Sequence, residues 1–556
     1  MKLLSLDINS DYGSIRKGFK LKFRDPFDKR ISTEVDWEKF HPFCFAGLNG
    51  SGKSNVLEVL ANIFYHIECC ANVNQPKNFQ DQFQPFDSKP DAFLLEYYIL
   101  LNESENYTIE NFTRVKISKK EGKEPEMTHQ PYPFKKSPIP VTIISEKYAK
   151  TVAEGKKYLP DLVIGYSSGE NEILSIPFLK SRLLHFDEYR EALRKEERYI
   201  EPESNLIYID YEMSQAVLLS NFIFQSKEVL KPLESELGIK DIKRFRMNLN
   251  LHNEGKFKIL DQYQNVINSF KNCTTSYYED TEGLILDFWL NDATKKAFRM
   301  NFPNGIFQLF RAFQILYTLN YRTVTEEIKS EVYQSKGFYT DGKVPNPAPE
   351  DKVFYFLDYY IQKEDVDKKD DVQLLMKNLS DGEQQFLHTL GICLMLKDKT
   401  ALLLLDEPET HFNPDWRSKF IRTLQKSLAA SQSNNLMKDI LITSHSPFII
   451  SDCYPDKVIV FEKGKQPINA KDINFRTYGT SIDIITENIF KKHNTIGDLS
   501  RKEIENIVDE IKDKNKLTTQ EVIEYKNRTS HLGDSMEKIL LFSRLNELEN
   551  SHVKSL

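Results

Sequence analysis

"FAGLNGSGKSNVLEVL", residues Phe45–Leu60, contains G-x-x-x-x-G-K-S from Gly47 to Ser54. The run "HPFCFAG" enters it as a short apolar strand, and "SNVLEVLANIFYHIECC" leaves it with apolar residues at helical spacing. Strand, glycine loop and helix in that order predict a phosphate cradle. Backbone N–H groups of the loop, including those of Asn49 and Ser51, wrap the β- and γ-phosphates. Gly47, Gly50 and Gly52 allow the left-handed backbone this needs. Lys53 supplies a point charge, the Ser54 hydroxyl is a ligand for Mg²⁺, and the following helix turns its positive end toward the anion. The expected cofactors are ATP and Mg²⁺.

A chain of 556 residues exceeds what one hydrophobic core normally serves, so two or three lobes are expected. The net charge of -7 carries no overall basic signature; a nucleic-acid contact would need a local patch. Six cysteines show no C-x-x-C pair, which excludes a zinc-ribbon pattern and a disulfide framework and suits a cytoplasmic setting. No apolar run approaches the roughly 18 residues of a membrane span, so no membrane partner is expected.

Working outward, "KLLSLDINS" and "GFKLKFRD" read as a strand pair, and "AFLLEYYILLN" and "YTIENFTRVKIS" as further strands. The middle is mixed: "IPFLKSRLLHFDEYREALRKEERYI" and "FQLFRAFQILYTLN" read as helices, "NLIYID" and "GLILDFWLND" as strands, and "KEDVDKKDD" as a solvated turn. After residue 375, buried strands alternate with helices, as in a parallel sheet with crossovers. "LLLLDE" would deliver Asp406 and Glu407 to the edge that holds the cradle. Asp406 is the candidate to hold Mg²⁺ through water and Glu407 the candidate general base. "LSDGEQQ", Leu379–Gln385, opens a helix with Ser380 and Gly382 placed for an anion.

In this order "GLNGSGKSN", "LSDGEQQ", "LLLLDEPETHFNP" and "TSHSP" resemble the ABC-type ATPases, and within them the SMC/RecF/OLD branch. Asn55 and the "DEPETHFNP" run are typical of that branch. Size and helical tail look like the stand-alone ATPases of bacterial anti-phage defence systems, the Septu ATPase first and the PARIS ATPase second. The resemblance implies an α/β ABC-ATPase head with a mixed sheet and P-loop: residues 1–120 and 375–465 form the head, a largely helical insertion or lid at 121–374 splits it, and a helical tail at 466–556 serves oligomerisation or partner docking. It implies that His445 touches the γ-phosphate. It implies that Ser380 and Gly382 act in trans on ATP held by Lys53 of a second copy, with Glu383 a further nucleotide-binding candidate. The glutamine loop of the family is not evident: "LVIGYSSGENEILSIPF" falls near its place but offers Asn171, and its "SSGEN" mimics a signature without an assignable role.

Three functions compete. The first is an ATP-driven dimerising switch that controls a separate effector, a nuclease such as an HNH protein. The second is an SMC- or RecF-like DNA-repair ATPase bound to DNA, disfavoured by the lack of sustained heptads. The third is a fused nuclease, disfavoured because no Asp-x-Asp follows residue 460. In the tail, Met536, Ile539, Leu540, Phe542 and Leu545 are expected to form one apolar stripe.

Overall fold

Three apolar runs, "FCFAG" (Phe43–Gly47), "ALLLLD" (Ala401–Asp406) and "KDILITS" (Lys438–Ser444), are buried along their whole length. Strands with no polar face belong in a parallel sheet covered on both sides, and these lie at the centre of one. The computed structural model, which describes residues 1–556 apart from 27–39, 74, 102–107, 147–150, 170, 199–204, 251–252, 255–256, 259, 282, 336–343, 365–370, 397–398, 432–436, 493–495 and 554–556, arranges seven strands in the order 468–469, 458–461, 43–47, 438–444, 401–406, 162–167, 206–208. All neighbours are parallel except the first pair. Register aligns Asp406 with Thr443 on one side and Ser167 on the other, and Ser444 with Ala46. Four chain segments distant in sequence therefore end together at one sheet edge.

A six-stranded antiparallel sheet runs in the order 19–22, 2–8, 93–100, 112–119, 126–131, 139–141. It includes the expected N-terminal pair, with Ser5 opposite Lys22. The helix Lys53–Ala71 shares one core with residues of both sheets. All of it except Ser54 and Asn55 is buried, including the polar side chains of Lys53, Glu58, Asn62, His66 and Glu68.

The α/β class expected of an ABC-type head is what the structure holds. The domain boundaries differ. Residues 162–167 and 206–208, placed by sequence inside the insertion, are strands of the central sheet, paired to the 401–406 strand and its neighbour. The inserted part also contains a five-stranded antiparallel sheet, in the order 276–279, 283–289, 239–250, 354–364, 371–375, beside its helices. Of the "KEDVDKKDD" turn, residues 365–370 lie outside the described residues; Glu364 and Asp371 at its ends are paired.

The chain divides into two compact units, Met1–Gly479 and Thr480–Leu556. The first unit reaches past the predicted boundary at 465 because the 468–469 strand pairs with 458–461. The second is built of helices 482–490, 498–511, 519–528 and 536–553. Its core joins Ile504, Ile507, Ile511, Val522 and Tyr525 to Leu541, Leu545 and Leu548. The predicted stripe is thus corrected: Leu545 is buried, but Met536, Ile539 and Leu540 are each more than 60% exposed. The buried row is Leu541, Leu545, Leu548, at i, i+4, i+7. No helix among the described residues is long and apolar enough to cross a membrane.

Candidate nucleotide site

The cradle is built as its glycines require. Gly47 has φ +148° and a Cβ there would lie 2.2 Å from the Phe461 carbonyl oxygen; Gly52 has φ +101° and a Cβ there would meet Ser14 Oγ at 2.9 Å. Neither position accommodates a side chain. Asn49 and Gly50 form the exposed turn, and Ser51 Oγ is buried with no hydrogen-bond partner among the described residues. Lys53 is 4% exposed. Its ammonium donates to the carbonyls of Gly47 at 3.0 Å and Leu48 at 3.1 Å, and burial lowers its pKa. Asn55 accepts from the Ser14 hydroxyl at 2.6 Å, tying the N-terminal loop to the start of the helix.

The sheet edge brings the second half of the site against the first. The Ser54 hydroxyl donates to Asp406 Oδ1 at 2.7 Å, and the Thr443 hydroxyl donates to the same oxygen at 2.7 Å. Asn171 Nδ2 donates to the other oxygen, Oδ2, at 2.7 Å. Glu407 follows with φ +46°, a left-handed backbone on a non-glycine residue, held by its N–H donating to Thr443 Oγ1 at 2.9 Å. Such strain persists only where surrounding contacts enforce it, and it clusters at functional sites. His445 Nε2 stands 3.1 Å from Glu407 Oε1 and 3.0 Å from Lys53 Nζ. One ring nitrogen faces both groups, so it accepts from Lys53 when bare and donates to Glu407 when protonated. The hydrogen bond to His445 holds the Glu407 carboxyl below its ordinary range.

Two further acids join this edge. Glu58, one helical turn after Ser54, accepts from Asn55 Nδ2 at 2.6 Å and also bonds Asn171; burial pushes its carboxyl up to about 7. Glu409 is buried, accepts from the Ser444 hydroxyl, and is likewise pushed up to about 7 by burial. Sequence reasoning missed both acids and Thr443, and left Asn171 without a role. The i to i+4 spacing of Ser54 and Glu58 was the available signal.

Ser380 is the N-cap of helix Asp381–Met395 and forms a reciprocal capping box with Glu383, whose carboxylate also meets the Lys363 ammonium. Gly382 is buried; a Cβ there would lie 2.8 Å from the His411 carbonyl oxygen. Gln385 fastens this segment to the carboxylate edge: its amide donates to the Ser168 carbonyl at 3.1 Å and accepts from the His411 N–H at 3.2 Å. The Ser168 hydroxyl donates to Thr410 Oγ1 at 2.8 Å. Ser168, in the signature-like run, therefore links the two motifs. The hydrogen bonds of Ser380 stay within its own helix start, and none among the described residues reaches the cradle.

The donor set suits a hard divalent cation: the hydroxyl of Ser54 and the carboxylate of Asp406 converge within 2.7 Å, both oxygen ligands. Among the described residues no cluster of three or more His, Cys, Asp or Glu could hold a metal by itself.

Residues 233–451 match the family described as "AAA domain, putative AbiEii toxin, Type IV TA system". The matched stretch holds the Ser380 segment, Asp406, Glu407 and His445, and supports an AAA-type ATPase domain in this chain. "Protein ea59" of Escherichia phage lambda is 26% identical over 121 residues, 22% of this chain. The chain spans 22% of the length of that relative. Among solved structures, the SMC head domain of Pyrococcus furiosus, with an extended coiled coil and bound to the C-terminal domain of ScpA, aligns over 85% of this chain and 98% of that one. The TM-score is 0.29 and the identity 10%, below what establishes a shared fold.

Proposed function

We propose that this chain binds and hydrolyses ATP and works as a dimerising switch of the ABC type. The observation that carries the reading is the meeting of Ser54 with Asp406 at 2.7 Å, beside a histidine that contacts both Lys53 and Glu407. Lys53 and the loop amides bind the phosphates. Ser54 and Asp406 would hold Mg²⁺, which neutralises phosphate charge when bound. Glu407, whose carboxyl His445 holds below its ordinary range, accepts the proton of the attacking water, and His445 orients it. Ser380, Gly382 and Glu383 complete the site of a second copy, and hydrolysis parts the two.

The wider reading is a role in a bacterial anti-phage defence complex of the Septu or PARIS kind, in the cytoplasm, where the switch governs a separate effector nuclease such as an HNH protein. The AbiEii name of the matching family agrees with a defence setting. Two measurements test the core of the proposal. Lys53→Ala should lose ATP binding, and Glu407→Gln should bind ATP yet turn it over at least about 10²-fold more slowly. Normal turnover by Glu407→Gln sinks its role as base. Mixing Lys53→Ala with Ser380→Arg chains should restore activity through one intact interface per dimer; mixed dimers as inactive as either parent would refute action in trans.

A further inference from the structure

A cavity of about 650 Å³ lies at the opposite edge of the central sheet from Asp406, where the strands begin. Its floor is apolar: Leu159, Pro160 and Leu162 enter the 162–167 strand, and Ile207 comes from its neighbour. One wall is a single face of the Ile306–Thr318 helix. Phe307, Phe310, Arg311 and Gln314 fall at i, i+3, i+4 and i+7, and all four line the space. That face presents two rings, a guanidinium and an amide together. Across from it Lys399, just before the 401–406 strand, holds its ammonium 5.6 Å from the Phe307 ring centre.

The charges in the lining do not balance. Lys156, Lys157, Arg311 and Lys399 stand against Glu154 and Asp161. The Asp161 carboxylate is committed to the Thr400 N–H and hydroxyl, at 2.8 and 3.0 Å. Glu154 pairs with Lys157 at 3.0 Å. Lys156 pairs with Glu68, just outside the lining, at 3.1 Å, and Arg311 donates to Gln314 at 3.0 Å; counting Glu68, the excess is one positive charge. Volume, apolar floor and a few convergent polar groups are those of a small-molecule site. Aromatic faces take a flat ring by stacking, and a guanidinium takes phosphate through its fork of donors.

We propose that this cavity is a second ligand site and that it takes a nucleoside monophosphate, with the base against Phe307 above Phe310 and the phosphate on Arg311 and Lys399. Six-residue strands rising about 3.3 Å per residue put it roughly 20 Å from the cradle. The site does not depend on ATP hydrolysis. It is therefore tested in the full chain carrying Lys53→Ala, which removes the main cation of the cradle. Equilibrium dialysis with radiolabelled AMP, GMP, CMP and UMP should find saturable binding of at least one, at one per chain. Adding Lys399→Glu or Phe307→Ala, both at partly exposed positions, should weaken it at least tenfold. No saturable binding of any of the four at millimolar concentration overturns the proposal. So does binding that Lys399→Glu and Phe307→Ala both leave unchanged.

Discussion

Changing Asn171 to aspartate should raise the Mg²⁺ requirement of ATP turnover while leaving the adjoining helix capped. The wild-type side chain works at both ends. Its Oδ1 accepts from the Leu174 N–H at 3.1 Å, capping the Glu172–Lys195 helix, and its Nδ2 donates to Asp406 Oδ2 at 2.7 Å. Aspartate keeps the cap and loses the donor. It also sets a carboxylate against Asp406, which is only 6% exposed. A lost hydrogen bond to a charged group costs about 1.5–3 kcal/mol. Removing a partner of a metal-ligating carboxylate typically weakens the metal about 10- to 100-fold. The Mg²⁺ giving half-maximal turnover should therefore rise by that factor, read by titrating MgCl₂ at fixed ATP. Thermal melting separates the two roles: Asn171→Ala also loses the cap, worth about 1 kcal/mol. An Asn171→Asp protein that needs no more Mg²⁺ than wild type refutes the idea that Asn171 steers Asp406.

Gly47→Ala should abolish binding of a fluorescent ATP analogue and lower the melting temperature, because its Cβ cannot coexist with the Phe461 carbonyl 2.2 Å away; unchanged binding would mean the loop is not the cradle. Glu409 makes stability depend on pH. Its folded pKa is about 7 against an ordinary 4.5, so the folded state holds a proton that the unfolded chain releases. Stability from this group is full below pH 4.5 and is lost as pH rises toward 7, by up to about 3 kcal/mol at about 1.36 kcal/mol per pK unit. Glu409→Gln should thus gain on wild type at pH 8 relative to pH 5 in urea unfolding, and an equal difference at both pH values would refute the assignment.

The parts legible in the sequence were those whose chemistry is local. Gly47 to Ser54 carry their own strand, turn and helix signals, and the "LLLLDE" run announces both its burial and its acidic end. Asn171 was not legible as the partner of Asp406, because their contact depends on the pairing of 162–167 with 401–406. That pairing puts a six-residue apolar run from what had looked like a lid into the middle of the ATPase sheet. Glu58 sat in plain view but reads as an ordinary helix residue until Asn55 and Asn171 close around it. The tail failed for a different reason. Adjacent residues on a helix differ by about 100°, so with Leu540 and Leu541 both apolar, the pattern alone could not say which of them faces inward.

The Phe43–Gly47 strand has consequences for how the protein is made. Both of its neighbours, 438–444 and 458–461, lie in the last quarter of the chain. The Leu3 N–H likewise donates to the Asp439 carboxylate. A nascent chain on the ribosome therefore displays the 43–47 strand without its sheet neighbours while some 400 residues are added, roughly 20–80 s at 5–20 residues per second. Gly47 comes against Phe461 only near the end of synthesis. A chain that ends before Phe461 carries the glycine loop without the carbonyl that packs on Gly47.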